Sequence, residues 1–146
     1  MKMTLNYPPV WLAGFMVLTW DLAMAYAPWG EVALWLGRAL IAAGLLLAIW
    51  SVVQFRKART TVIPHQEPDA LVQTGPYRLS RNPIYVADLA ILAGWSLTLG
   101  TPLGLLLVIP FALVLERLFI RPEEARLAVA LGTAYTEYRS RVRRWV

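Results

Sequence analysis

The stretch Val32–Val53, VALWLGRALIAAGLLLAIWSVV, carries one charged side chain, Arg38, in an otherwise apolar run. At a rise of about 1.5 Å per residue it extends roughly 33 Å, enough to cross a hydrocarbon core of about 30 Å. A chain presenting such a surface has lipid for part of its solvent, and the reading works outward from there. Upstream, Val10–Ala27 is a second apolar run, closed by the turn Pro28-Trp29-Gly30 and paired with Val32–Val53 as a helical hairpin. It contains Asp21 and has only Lys2 ahead of it, which favours a retained span over a cleaved signal peptide. Downstream, Ile84–Leu99 and Leu103–Ile120 flank the turn Gly100-Thr101-Pro102 and form a second hairpin. The predicted fold is an all-α membrane protein, one domain over residues 1–146, with four transmembrane helices at about 10–27, 32–53, 84–99 and 103–120. Segment 54–83 connects the hairpins, and a C-terminal amphipathic helix covers about 122–141.

Composition agrees with this reading. Hydrophobic residues make up 58% of the chain and charged residues 16%, too few to coat a water-soluble domain of 146 residues. The net charge of +5 lies in clusters that flank the apolar runs, so anionic lipid headgroups are the expected partner and nucleic acid is not. With no cysteine, disulfides, thiolate nucleophiles and thiolate metal sites are excluded. Neither hairpin turn has a Lys or Arg, whereas Arg56, Lys57, Arg59, Arg78 and Arg81 fill the central segment and the tail is richer still. The positive-inside rule therefore puts both termini and the central segment in the cytoplasm. Small size and the lack of an organelle or retention signal point to a bacterial inner membrane.

Charges within spans need partners. Asp21 and Arg38 fall at similar depth on neighbouring runs and are expected to pair as an internal brace. Asp88, Glu116 and Arg117 are expected to cluster under the cytoplasmic surface. Arg121-Pro122-Glu123-Glu124 reads as a new helix start, with Pro and acids in its first turn. Leu127, Leu131, Tyr135, Tyr138 and Val142 then line one face of that helix, and Trp145 reads as an interfacial anchor.

The chemistry-bearing stretch is Gly75-Pro76-Tyr77-Arg78-Leu79-Ser80-Arg81-Asn82-Pro83-Ile84-Tyr85. Turn formers, two arginines and two tyrosines crowd the entry to the third run, where helix-start N–H groups favour an anion. Positive-inside anchoring explains these residues singly but not the block together. The pattern Gly-Pro-Tyr, three residues, Arg-Asn-Pro, one residue, Tyr, then an apolar hairpin and Glu123-Glu124, resembles the isoprenylcysteine carboxyl methyltransferase and phospholipid N-methyltransferase superfamily of membrane enzymes. The resemblance covers roughly residues 54–146, including the Leu131-Gly132, Tyr135, Tyr138 and Val142 pattern of the tail.

This resemblance implies S-adenosylmethionine as cofactor and methyl transfer to a lipid-like or otherwise hydrophobic acceptor, a carboxylate or an amine. It implies catalytic roles for Arg81, Tyr85 and Glu124, and cofactor contacts from His65, Gly75, Tyr77, Arg81, Asn82, Tyr85, Glu123 and Glu124. Arg121, Tyr135, Tyr138 and Arg139 are the implied acceptor contacts, and no metal is implied. Chemically, Arg81 suits a carboxylate, Glu123 or Glu124 an amino group or ribose hydroxyl, and Tyr77 and Tyr85 an adenine or sulfonium. The chain departs from the commonest family form at Asn82, where many relatives have His, which removes a proton-transfer group but keeps a hydrogen-bonding one. Glu124, Asp88, Tyr85 and His65 are the bases on offer to an amine acceptor. Two other classes stay open: a small four-span transporter using Asp21, and a non-catalytic membrane subunit that binds a protein partner.

Overall fold

A computed structural model describes residues 7–58 and 71–146. The order is α1 (Pro8–Ala23), α2 (Glu31–Lys57), a 3₁₀ turn (Gly75–Arg78), α3 (Pro83–Leu99), α4 (Pro102–Leu115), a π turn (Glu116–Ile120) and α5 (Arg121–Arg141). Among the described residues the protein is all-helical, apart from one isolated parallel bridge between Ser80 and Arg143. Among the described residues two helical stretches are long and apolar enough to cross a membrane: Glu31–Lys57 and the continuous run Pro102–Arg141. The helices α1 and α3 are shorter, at 16 and 17 residues.

The pairing of helices differs from the two-hairpin expectation. The most extensive contact is between α2 and α3, while α1 packs on α3 and α4. Side-chain size explains this. Gly37 and Gly44 recur at heptad spacing on α2, and a Cβ built at Gly37 would lie 2.6 Å from the carbonyl oxygen of Gly94 on α3. Conversely, a Cβ at Gly94 would lie 2.6 Å from the Gly37 carbonyl. Backbones at this distance exclude any side chain, and small residues allow that approach where lipid gives no hydrophobic drive to pack. Aromatic residues hold α1 instead: Phe15 meets Phe111 at 5.0 Å between centroids, Trp20 stacks on Trp95 at 6.0 Å, and Trp95 Nε1 donates to the Met16 carbonyl at 3.1 Å.

The Asp21–Arg38 brace is absent as a result. Both side chains are exposed and unpaired with each other, and the Arg38 guanidinium lies 5.0 Å over the Trp35 ring. The expected Asp88 cluster does not form either. Among the described residues Asp88 is buried on α3 without a hydrogen bond or ion pair, Arg117 is exposed, and Glu116 turns to Arg121 and Arg144.

No new helix begins at Pro122. Ile120 and Arg121 keep helical angles, and the chain runs from α4 through the π turn into α5, with the Arg121 N–H bonded back to the Glu116 carbonyl. The wider turn opens the hydrogen-bond ladder where Pro122 has no N–H to give, so the helix continues. Within α5 the break falls at Gly132, whose φ of 52° and ψ of −122° are open only to glycine. Beyond it Tyr135 and Tyr138 are buried against the bundle. Trp145, expected as an interfacial anchor, packs partly buried against the core of Tyr85, Leu92, Phe111, Leu115, Phe119 and Ile120.

Gly94→Ala is expected to destabilise the protein by about 1–3 kcal/mol, since only backbone motion relieves the overlap. Gly14→Ala, where nothing lies within 4 Å of the added carbon, is expected to be neutral or stabilising by up to about 1 kcal/mol. Thermal unfolding of both variants in one detergent, followed by circular dichroism, separates the two signs.

Candidate active site

The loop before α3 is fixed from two sides. Thr74 Oγ1 donates to Gln54 Oε1 on α2 at 2.9 Å. Gly75, at φ +60°, sits so close that a Cβ would fall 2.8 Å from the Gln54 side chain, so both its angle and its neighbour demand glycine. Tyr77 is buried, edge-on to Phe55 at 5.3 Å, and its carbonyl accepts from the Tyr138 hydroxyl at 2.7 Å. The second half of the loop is pinned by the chain after α5. The Arg81 N–H donates to the Arg143 carbonyl at 2.9 Å, while Asn82 Nδ2 and Ser80 Oγ donate to the Arg144 carbonyl at 3.0 and 3.3 Å. Asn82 thus spends its amide on the tail instead of capping α3, and Pro83 supplies the first helical residue.

This clamping brings together side chains far apart in sequence. Arg81 Nη1 donates to Glu124 Oε1 at 2.8 Å across 43 positions. Arg144 grips the same carboxylate with two nitrogens, Nη2 to Oε2 at 2.8 Å and Nε to Oε1 at 3.2 Å. Its third nitrogen reaches Glu116 Oε1 at 2.9 Å, which Arg121 also holds at 2.8 Å. Next to this pair the Tyr85 hydroxyl donates to Glu123 Oε2 at 3.4 Å. Among the described residues, Arg81 Nε is buried without a partner.

The two adjacent acids are in different electrostatic states. Glu124 is buried but matched by two guanidiniums. Burial pushes the Glu123 carboxyl above its ordinary value, an effect that Arg126 and the Tyr85 hydroxyl only partly offset. Burial also raises the Tyr77 and Tyr138 phenols, so at neutral pH both are protonated donors and not bases. The Glu124 hydrogen bond raises Arg144, which remains a cation.

Of the residues the sequence singles out, Arg81, Tyr85, Glu123 and Glu124 meet in one group, with Tyr135 within hydrogen-bonding reach of Arg81. Gly75, Tyr77, Asn82 and Tyr138 form the frame around it. Arg121 and Arg139 are exposed on α5, and Arg121 is occupied with Glu116. His65 lies outside the described residues. Sequence reasoning missed Arg144, which is one of several tail arginines and has no distinguishing spacing. It also missed Gln54 and Phe55, whose placement depends on α2 packing against α3.

Arginine, tyrosine and paired acids thus form a buried polar site at one end of an apolar helical bundle, the arrangement of a membrane-associated protein. The sequence profile of the phospholipid methyltransferase family matches residues 32–134, and the chain belongs to that family. Its membership places it in the superfamily of membrane methyltransferases that includes the isoprenylcysteine carboxyl methyltransferases. An uncharacterized protein of Haemophilus influenzae is 41% identical over 63 residues, which are 43% of this chain and 100% of that protein. No solved structure matches the chain.

Because the Glu123 carboxyl is raised in the folded protein, its stabilising contribution is fully present below its unfolded value of 4.5 and is lost as pH rises through the folded one. Glu123→Gln is therefore expected to melt higher than the wild type at pH 8, with the difference disappearing towards pH 4.5. Paired melting curves across that range check the sign.

Proposed function

We propose that the protein transfers a methyl group from S-adenosylmethionine to a hydrophobic, lipid-dissolved acceptor at the cytoplasmic face of a bacterial inner membrane. The observation carrying this reading is the Arg81–Glu124 contact of 2.8 Å, flanked by Tyr85 and Glu123, in which Arg81 keeps a buried donor unengaged. These groups fit the cofactor's own. Arg81 would hold its carboxylate, Glu124 and Glu123 its amino group or ribose hydroxyls, and the Tyr85 ring its cationic sulfur. When bound, the cofactor supplies an activated methyl for in-line displacement. The protein's part is to orient it, exclude water and admit the acceptor.

Four membrane crossings would let such an acceptor enter from lipid. At about 1.5 Å per residue, α1 and α3 reach roughly 24 and 26 Å, near the short limit for a span. Exposed Trp35, Leu36, Leu46, Ile49 and Trp50 on α2 suit acyl chains. The cationic residues near the C-terminal end of α2, in the 3₁₀ turn and on α5 share the side of the candidate site, in keeping with a cytoplasmic placement. A carboxylate acceptor needs no base. For an amine, Asp88, buried one helical turn beyond Tyr85, is the available proton acceptor.

Calorimetric titration of the detergent-purified protein with S-adenosylhomocysteine tests the reading. Binding in the micromolar range is expected for the wild type. Arg81→Ala and Glu124→Ala are each expected to weaken it by about tenfold or more, the scale of one charged hydrogen bond. A folded wild type that binds nothing would overturn the proposal.

A further inference from the structure

Arg144 contrasts with Arg81 although both touch the same carboxylate. Every nitrogen of its guanidinium is engaged, two on Glu124 and one on Glu116. Its main chain is equally constrained, because its carbonyl accepts from both Ser80 and Asn82. Its neighbour Trp145 packs against the apolar core, within hydrogen-bonding reach of Glu116. Each Arg144 nitrogen is thus already committed to an acid, whereas Arg81 contacts Glu124 through one nitrogen and, among the described residues, has an unpartnered Nε.

An isolated arginine and carboxylate prefer a two-pronged pair in which both oxygens accept from one guanidinium. Here that arrangement belongs to Arg144, and Arg81 is left with a single strong bond to Glu124. We infer that Arg144 is a positioning residue: by holding Glu124 in its own fork, it prevents Arg81 and Glu124 from closing on each other and preserves an Arg81 donor for an anionic ligand group. The inference rests on the cofactor reading above and names the carboxylate of the cofactor as that group. Arg144 itself touches no reacting atom.

The experiment compares S-adenosylhomocysteine with methylthioadenosine, which retains the nucleoside and sulfur but lacks the carboxylate and amino groups. Affinities are measured by calorimetry on the full chain in detergent for the wild type, Arg144→Ala and Arg144→Lys. For Arg144→Ala the inference expects about tenfold or greater weakening of S-adenosylhomocysteine and unchanged affinity for methylthioadenosine. Arg144→Lys keeps the charge but not the fork and is expected to fall between the wild type and Arg144→Ala. In a Glu124→Gln background the effect of Arg144→Ala should shrink, because the amide no longer draws Arg81 into an ion pair. Equal weakening of both ligands would mean a general structural loss and would overturn the inference, as would no weakening of either. A folded wild type that binds neither ligand would instead sink the underlying cofactor reading.

Discussion

The Glu124 carboxylate is withdrawn from water at the polar end of a bundle whose other faces are apolar. Desolvating a carboxylate costs several kcal/mol unless cations and donors replace its hydration. Arg81 and Arg144 provide that replacement from opposite ends of the second half of the chain, at 2.8 Å each. The loop before α3, the start of α5 and the segment after α5 are therefore held at a common point. The backbone bonds from Ser80, Arg81 and Asn82 to Arg143 and Arg144 follow from the same meeting.

The apolar end obeys a different constraint. There α2 and α3 approach until the Gly37 and Gly94 carbonyls leave no space for a methyl group, and dispersion between closely packed backbones replaces ion pairing. The two regimes are linked through α3. Its first turn carries Tyr85, whose ring belongs to the core with Leu92 and Phe119 while its hydroxyl donates to Glu123. Its far end closes in a left-handed turn at Gly100, nested against Pro28 and Trp29. The orientation of the site relative to the bundle is thus fixed by one helix that takes part in both.

What the sequence displays and what it hides divide along physical lines. Long apolar runs, the Gly100-Thr101-Pro102 turn and the dense block from Gly75 to Tyr85 are legible because they depend on composition and local backbone chemistry. Helix pairing is not, since a hairpin drawn from adjacency cannot register the glycine seam that commits α2 to α3. The Asp21–Arg38 brace failed for that reason: equal depth does not produce contact when the helices bearing the charges pack elsewhere. The continuous passage through Pro122 was hidden because a proline with acids behind it has the pattern of a helix start, and only the π turn reveals the continuation. Arg144 was hidden because nothing distinguishes it from Arg139, Arg141 and Arg143 before the chain beyond Val142 turns back on the loop.

The rival classes can be weighed on the same ground. A transporter built around Asp21 would need that acid inside the bundle, and its side chain is exposed with no ion pair to Arg38. A non-catalytic subunit would need the buried polar group only as a brace, and a brace is most stable when its donors are all engaged. Arg144 has a partner for each nitrogen, whereas among the described residues the Arg81 Nε is buried without one. A buried donor left unmatched costs about 1–3 kcal/mol, a penalty a purely structural arginine has no reason to retain. The imbalance between two arginines on one carboxylate is the feature that the proposed cofactor would resolve, by completing Arg81.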